Sequence, residues 1–220
     1  MAYTTIDNPT DYFNTVLYSG NGSNGNAITG VGFSPEWLWI KQRSGTRNHN
    51  LWDIVRGNTK RLISNTTGAE TTETSITSFD SDGFTLDSGT TSNENSQTFV
   101  AWNWLAGGSA SSNSDGSITS SVSASTTAGF SIVSYTGTGS NATVGHGLGV
   151  APKVLILKSR TRSDGQWTVG SDMLGWSKFL FLDATSAEQT FNLYQNTAPT
   201  SSVFYLSGDG GVNQSSGSMI

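Results

Sequence analysis

Gly30-Val31-Gly32-Phe33-Ser34-Pro35-Glu36-Trp37-Leu38-Trp39-Ile40-Lys41-Gln42-Arg43 returns as Gly147-Leu148-Gly149-Val150-Ala151-Pro152-Lys153-Val154-Leu155-Ile156-Leu157-Lys158-Ser159-Arg160, each residue 117 positions on. Both stretches set glycines and a proline before four consecutive apolar residues and a lysine. Apolar residues on both faces of a short run predict a central strand covered on either side. Working outward, the same shift carries Tyr18-Ser19-Gly20-Asn21-Gly22 onto Tyr135-Thr136-Gly137-Thr138-Gly139. Lys60-Arg61-Leu62-Ile63 meets Lys178-Phe179-Leu180-Phe181 at a shift of 118, and Phe84-Thr85-Leu86 meets Phe204-Tyr205-Leu206 at 120. The drift marks loop insertions between matched strands, so the chain is one unit used twice.

Between the repeated motifs the runs are short and bounded by glycine, asparagine and serine, which supply turn conformations. Helical periodicity is absent, although Thr66–Thr74 and its twin Ala184–Thr190 leave room for a single helical turn. The fold expected is all-β: two tandem antiparallel β-sandwich modules joined by a Ser/Gly-rich linker. Residues 1–10 read as an N-terminal arm, 11–108 as the first sandwich, 109–127 as the linker and 128–220 as the second sandwich. Within the linker, a strand pair is expected around Ile118 and Val122. The first copy ends in Thr98-Phe99-Val100-Ala101-Trp102-Asn103-Trp104, while the second reaches only Ser218-Met219-Ile220. A sandwich without its closing strand exposes a pairing edge. We therefore expect either a longer chain or a neighbouring chain to supply that strand.

The composition narrows the function classes. Glycine is abundant, at 26 of 220 residues, and charged residues make up only 12%. That surface is neutral and hydroxyl-rich. A net charge of −5 argues against a polyanionic partner, so no nucleic acid is expected. Six of the eleven basic residues fall between Lys41 and Arg61, a segment best read as a solvated strand edge and loop. With no cysteine there is neither a disulfide framework nor a thiolate metal site. The N-terminus has no signal-peptide pattern and no stretch has the length of a membrane span, so synthesis in a cytoplasm without export is expected.

Catalytic constellations are sparse, and no catalytic residue, cofactor or metal site is expected. His49 and His146 lie in different repeats, neither has a histidine counterpart, and turn or surface roles suit both. Asp80-Ser81-Asp82-Gly83 resembles part of a calcium loop but lacks the bidentate glutamate, so a turn role is expected. Glu36 and Asp53 form a carboxylate pair on paper, yet the second repeat has Lys153 and Thr168 near those positions. Among the aromatics, Trp37, Trp39 and Trp52 read as core and Trp102 with Trp104 share one strand face. Trp176, beside Gly175, reads as the exposed ring suited to a glycan contact.

These residues bring a resemblance into view. Ala2-Tyr3-Thr4-Thr5-Ile6-Asp7-Asn8-Pro9, followed by Asp11-Tyr12-Phe13, is one of its motifs. The others are Tyr18-Ser19-Gly20-Asn21-Gly22, Pro35-Glu36-Trp37-Leu38-Trp39-Ile40-Lys41, Trp52-Asp53-Ile54-Val55-Arg56-Gly57 and Ser81-Asp82-Gly83-Phe84-Thr85-Leu86. In that order the chain resembles a repeat module of marine bacteriophage tail-fibre and other virion proteins. The resemblance implies a structural, non-enzymatic role in a virion made in the host cytoplasm. It implies contacts with other tail or capsid proteins, and a homo-oligomer in which a trimer is favoured. Tyr3, Ile6, Asp7 and Pro9 would make the particle contact. A carbohydrate-binding role in host-surface recognition, with Trp176 touching a host-surface glycan, is the alternative. The second repeat departs from the pattern with Gln166-Trp167-Thr168-Val169-Gly170, so a role for Arg56 belongs to the first repeat alone.

Overall fold

In a computed structural model, residues 6–220 are described, and their regular structure is almost entirely antiparallel β-strand. A short 3₁₀ turn at Pro9–Asp11 leads into the strands of the first repeat. They are β1 (Phe13–Ser19), β2 (Asn26–Thr29), β3 (Trp37–Gln42), β4 (Asn50–Asp53), β5 (Gly57–Ile63), β6 (Thr71–Thr72), β7 (Ile76–Asp80) and β8 (Gly83–Leu86). The helical turn α1 (Thr90–Asn93) and strand β9 (Thr98–Trp104) complete that repeat. After β10 (Ser111–Asn113) and β11 (Ser120–Ser125) come β12 (Phe130–Thr136), β13 (Ala142–Gly145), β14 (Val154–Leu157), β15 (Thr168–Ser171), β16 (Lys178–Phe181), β17 (Gln189–Thr190) and β18 (Val203–Leu206). The helical turn α2 (Gly210–Asn213) and β19 (Ser218–Met219) close the chain.

In the first repeat a six-stranded sheet, ordered β1-β9-β3-β4-β5-β6, faces a three-stranded sheet, β2-β8-β7. Their shared core is built from Ile28, Leu38, Ile40, Trp52, Ile76, Phe84, Leu86, Phe99 and Ala101, side chains drawn from both sheets. Alternation along β3 sends Leu38 and Ile40 into that core while Trp37 and Trp39 turn to the opposite face.

The second repeat reuses the register. Tyr18 faces Phe99 across β1 and β9, and Tyr135 faces Met219 across β12 and β19. β13 pairs with β18 as β2 pairs with β8, and β14-β15-β16-β17 follows the order of β3-β4-β5-β6. The second core gathers Tyr135, Val144, Leu157, Trp176, Phe179, Tyr194, Phe204, Leu206 and Met219, among others. β7 has no strand counterpart; Leu193 and Tyr194, in the loop that replaces it, are buried in this core instead.

The serine-rich stretch 109–127 holds β10 and β11, and β11 pairs with β12 along Ser120–Ser125. Ile118 and Val122 are buried, and Ile118 bridges Val144. Its backbone is thus laid on the edge of the second repeat's sheet. The single helical turns stand at Thr90–Asn93 and Gly210–Asn213, and not at Thr66–Thr74 or Ala184–Thr190, where β6 and β17 lie. Side-chain capping starts only the second of these turns, since Gly89 before α1 makes no such bond. Asp209 accepts from Gly211 N at 2.7 Å to start α2, whereas the threonine-rich segments find strand partners in β5 and β16.

Each helical turn anchors a buried asparagine that the motif reading overlooked. Asn93 Oδ1 accepts from Asn21 N at 3.0 Å, and its Nδ2 donates to Ser23 O at 2.9 Å and Asp87 O at 2.8 Å. Asn213 repeats the pattern with Thr138 N at 2.8 Å, Ser140 O at 2.6 Å and Ser207 O at 3.0 Å. The tyrosine that opens each Tyr-x-Gly-x-Gly motif donates to the same turn, Tyr18 to Ser92 O at 2.8 Å and Tyr135 to Val212 O at 2.5 Å. The first glycine of the motif is demanded by proximity. A Cβ on Gly20 would stand 2.3 Å from Glu94 O, and one on Gly137 would stand 2.2 Å from Gln214 O.

Candidate functional site

Where the repeats meet, a third cluster forms from Leu51, Leu62, Ala106, Ile132, Trp167 and Ile220, with Trp37, Trp39, Ile54, Val55 and Phe130 packed against it. Trp104 stacks on Phe130 at 6.1 Å and Trp37 meets Phe130 edge-on at 6.3 Å. Trp167, 1% exposed, donates its indole N–H to Ile63 O of the other repeat at 2.9 Å. Trp102 and Trp104 do share one face, as the alternation predicted, and that face looks into this seam.

A buried ionic chain runs along the same seam. Arg56 Nε donates to Asp53 Oδ2 at 2.5 Å, with both side chains fully buried, and Arg56 Nη1 reaches Glu70 Oε2 at 3.1 Å. From the other repeat, Arg160 grips Glu70 in a two-pronged contact, Nε to Oε2 at 2.8 Å and Nη2 to Oε1 at 2.9 Å. Burial opposes ionisation of Glu70, but the Arg160 and Arg56 guanidiniums outweigh it and hold the carboxyl below its usual range. Glu70 N also donates to Arg160 O at 2.8 Å, so backbone and side chain lock together.

Beside this chain lies Lys158, fully buried, donating Nζ to Thr67 O at 2.8 Å and Gly165 O at 2.5 Å. Burial pushes the ammonium down to about 8, with the Asp183 carboxylate pulling the other way. Because the folded value lies below the unfolded one, the unfolded chain binds the proton more tightly between about pH 8 and 10.5. Stability should therefore rise with pH across that window, by at most about 3 kcal/mol. Above pH 10 the buried Tyr135 and Tyr194, both pushed upward by desolvation, oppose the trend. In Lys158→Met the rise between pH 8 and 10 should vanish, as read by urea unfolding at each pH; an unchanged slope would show that another group carries it.

Along the seam opens an apolar groove of about 600 Å³, walled by Phe130–Val133 and Val150–Leu157 and floored in part by Trp37, Trp39 and Trp104. Three of its wall residues are unusually exposed for their type: Val150 at 60%, Val154 at 54% and Ile156 at 45%. The expectation that Val154–Leu157 is covered on both sides, like Trp37–Ile40, is therefore corrected. β3 sits between β9 and β4, whereas β14 pairs along its length with β15 alone among the described strands.

The residues singled out from the sequence are scattered. Tyr3 lies outside the described residues; Ile6 is half-buried, and Asp7 and Pro9 are exposed at the 3₁₀ turn. Trp176 is corrected from exposed to buried: at 8% exposure it packs edge-on against Tyr194 at 5.6 Å inside the second core. Gly175, with its positive φ of 75°, turns the chain so that the following ring points inward. A glycan contact through that ring has no exposed face to use.

Glu36 is buried with Oε2 accepting from Ala106 N at 2.6 Å, and Asp53 is held by Arg56, so neither carboxylate is free for acid–base work. Asp82 bridges the glycine turn by accepting from Gly32 N at 2.6 Å and Gly30 N at 3.1 Å. Those two backbone bonds, Gly32 first, lower its carboxyl from the usual value. Among the described residues no cluster of three metal-ligating side chains forms.

Of the turn and surface roles, His146 takes the turn role while buried: its Nδ1 accepts from Leu148 N at 3.1 Å, which leaves Nε2 as the donor to Thr200 O at 3.2 Å. His49 Nδ1 accepts from Trp39 Nε1 at 3.0 Å. Burial lowers both imidazoles and keeps them neutral. The basic run from Lys41 to Arg61 is dispersed by its partners, Arg47 with Glu94 at 2.9 Å, Arg56 with Asp53 and Arg61 with Glu73. No helix among the described residues is long and apolar enough to cross a membrane.

No curated protein and no solved structure matches the chain. One sequence family does, described as a domain of unknown function, DUF7483, and its profile runs over residues 8–220, through both repeats and the seam between them. The chain therefore belongs to the DUF7483 family.

Proposed function

We propose that this chain is a structural protein of a bacteriophage virion. It serves as the particle-attaching N-terminal part of a tail fibre, or as a related fibre or decoration component. In this reading it is built as two tandem β-sandwich modules, residues 11–108 and 128–220, with 109–127 as the connector and 1–10 as the arm. The observation that carries the reading is the seam. An apolar cluster and the Asp53-Arg56-Glu70-Arg160 chain join the repeats. Interfaces of this kind resist bending because burying their polar groups leaves few alternative arrangements that satisfy them. A spacer that must transmit position along a fibre needs that stiffness. The neutral, hydroxyl-rich surface and the commitment of Glu36, Asp53, His49 and His146 to structural bonds support the same reading over an enzymatic one. The carbohydrate-binding alternative is weakened, since Trp176 is buried.

The arm is assigned to contacts with tail or capsid proteins, with Tyr3, Ile6, Asp7 and Pro9 as its contact residues. Deleting residues 1–10 should abolish incorporation into particles while the unfolding midpoint of the remaining chain stays unchanged. Full incorporation of the deletion would overturn the assignment. Light scattering after size exclusion should give the mass of a closed homo-oligomer, a trimer for a fibre; a monomer at all concentrations would remove the fibre form of the proposal.

A further inference from the structure

One surface depression occurs twice in the fold, once in each repeat. Lys60 pairs with Thr72 across β5 and β6 as Lys178 pairs with Thr190 across β16 and β17, each residue 118 positions on. At the same shift, Glu73 N donates to Thr59 O at 2.8 Å and Phe191 N donates to Ser177 O at 3.3 Å. Arg61 therefore corresponds to Phe179, and Glu73 to Phe191. In the first repeat these two side chains form an ion pair, and Arg61 Nη1 reaches Thr91 Oγ1 of α1 at 3.4 Å. In the second repeat both charges give way to phenyl rings, and Gly211 of α2 stands where α1 has Thr91. The depression beside Arg61 and Thr91 measures about 230 Å³, and the one beside Phe179 and Gly211 about 360 Å³.

We propose that the depression of the second repeat is a binding site for one sugar ring. Its apolar lining is Phe179, Phe181 and Phe191. Phe179 and Phe181 meet edge-on at 5.1 Å, and Phe191 is 56% exposed, a large apolar side chain left to water where the first repeat has a glutamate. The rest of the lining is polar. Asp164 holds Arg162, taking Nε on Oδ1 at 2.9 Å and Nη2 on Oδ2 at 3.0 Å, which leaves Nη1 as a donor without an acceptor among the described residues. Gly210 makes room for that nitrogen, since a Cβ there would stand 2.7 Å from it. Asp209 commits Oδ1 to Gly211 N at 2.7 Å and keeps Oδ2 as an acceptor. The side-chain amide of Gln166, able to donate and to accept, has no hydrogen-bond partner among the described residues.

The chemistry of the occupant follows from that lining. A sugar ring has an apolar C–H face that packs on a phenyl ring, and hydroxyls that each donate and accept one hydrogen bond. Unpaired donors and acceptors side by side satisfy such groups. An anion would face the two aspartates and a cation the guanidinium, so a neutral ligand fits best. The volume lies at the small end of ligand pockets and suits a single ring. In the first repeat the Arg61–Glu73 pair occupies the same place, so the site belongs to the second repeat alone. It makes no use of the buried Trp176, and it stands apart from the virion reading, since sugar binding would persist in a protein that never enters a particle.

The test titrates the full chain, labelled for NMR, with the methyl glycosides of glucose, galactose, mannose and N-acetylglucosamine. At least one should shift the amide signals of residues 164–168 and 209–211, with a dissociation constant of about 0.1–10 mM, and leave the matching positions of the first repeat unmoved. Phe191→Glu, which restores the residue of the first repeat, should weaken that binding by about tenfold or more, and Gln166→Ala by a smaller factor. Because Phe191 is exposed, its replacement should leave the unfolding midpoint in place. Affinity electrophoresis with soluble starch, galactan, mannan and chitin oligosaccharides then separates the two sources of such a ring: retardation assigns the site to a glycan chain, and glycoside binding without retardation assigns it to a free sugar. Failure of all the glycosides to shift these signals, or an affinity unchanged in Phe191→Glu, would overturn the proposal. So would shifts produced by tetramethylammonium in place of the sugars, which would make the rings a cation cage.

Discussion

Replacing Arg56 with leucine should cost about 3–5 kcal/mol of unfolding free energy, because it strands the fully buried Asp53 carboxylate without its cation. The guanidinium also donates to Lys60 O at 3.1 Å and Leu51 O at 3.3 Å, so two backbone carbonyls lose a partner at the same time. Glu70 would survive better, since Arg160 still holds it on two oxygens. The double variant Asp53→Leu/Arg56→Leu should recover part of the loss, for an apolar pair asks less of a dry interior than one unpaired charge. Guanidinium unfolding of the two single variants and the double one gives the coupling energy directly. A single-variant loss below about 1 kcal/mol would place the pair in solvent and contradict its burial. The linked pH effect has a definite sign. Glu70 titrates below its unfolded value when folded, so its contribution is complete above about pH 4.5 and is lost as the pH falls through the folded value. Glu70→Gln should flatten that acid limb.

Asn213→Ala should cost about 3 kcal/mol, and Asn93→Ala a similar amount, since each substitution removes a fully buried side chain that bonds two backbone carbonyls and one backbone N–H. Asn213→Asp distinguishes hydrogen bonding from packing. It keeps the shape but turns a carboxylate oxygen toward Ser140 O and Ser207 O, so the loss should match or exceed that of alanine. The two asparagines serve separate cores, and their losses should add to within about 0.5 kcal/mol in the double variant. Thermal or chemical unfolding reads all three. A neutral Asn213→Ala would mean that water replaces the side chain without cost, and the account of the helical turns as anchors would fail.

The repeat explains why these two sites differ in how far the sequence reveals them. Asn93 and Asn213 recur 120 positions apart, each just before an acidic or amide residue, and aligning the repeats beyond the Phe84 and Phe204 strands would have found them. The seam has no such signal. Arg56 pairs with Asp53 three residues away, but its link to Arg160 passes through Glu70, and only the packing of one repeat on the other brings those three together. Trp176 went astray for a related reason: it follows a glycine turn, and turn chemistry says where the chain bends without saying which way the following ring points.

By itself the sequence determined the tandem repeat of strand motifs and the all-β character, because alternation and turn residues are local properties written every two residues. Tertiary structure alone decided which faces meet. It joined Trp37, Trp39, Trp104 and Phe130 into a seam and buried Trp176. Burial depends on what a second, distant segment covers, which local alternation and turn chemistry do not record.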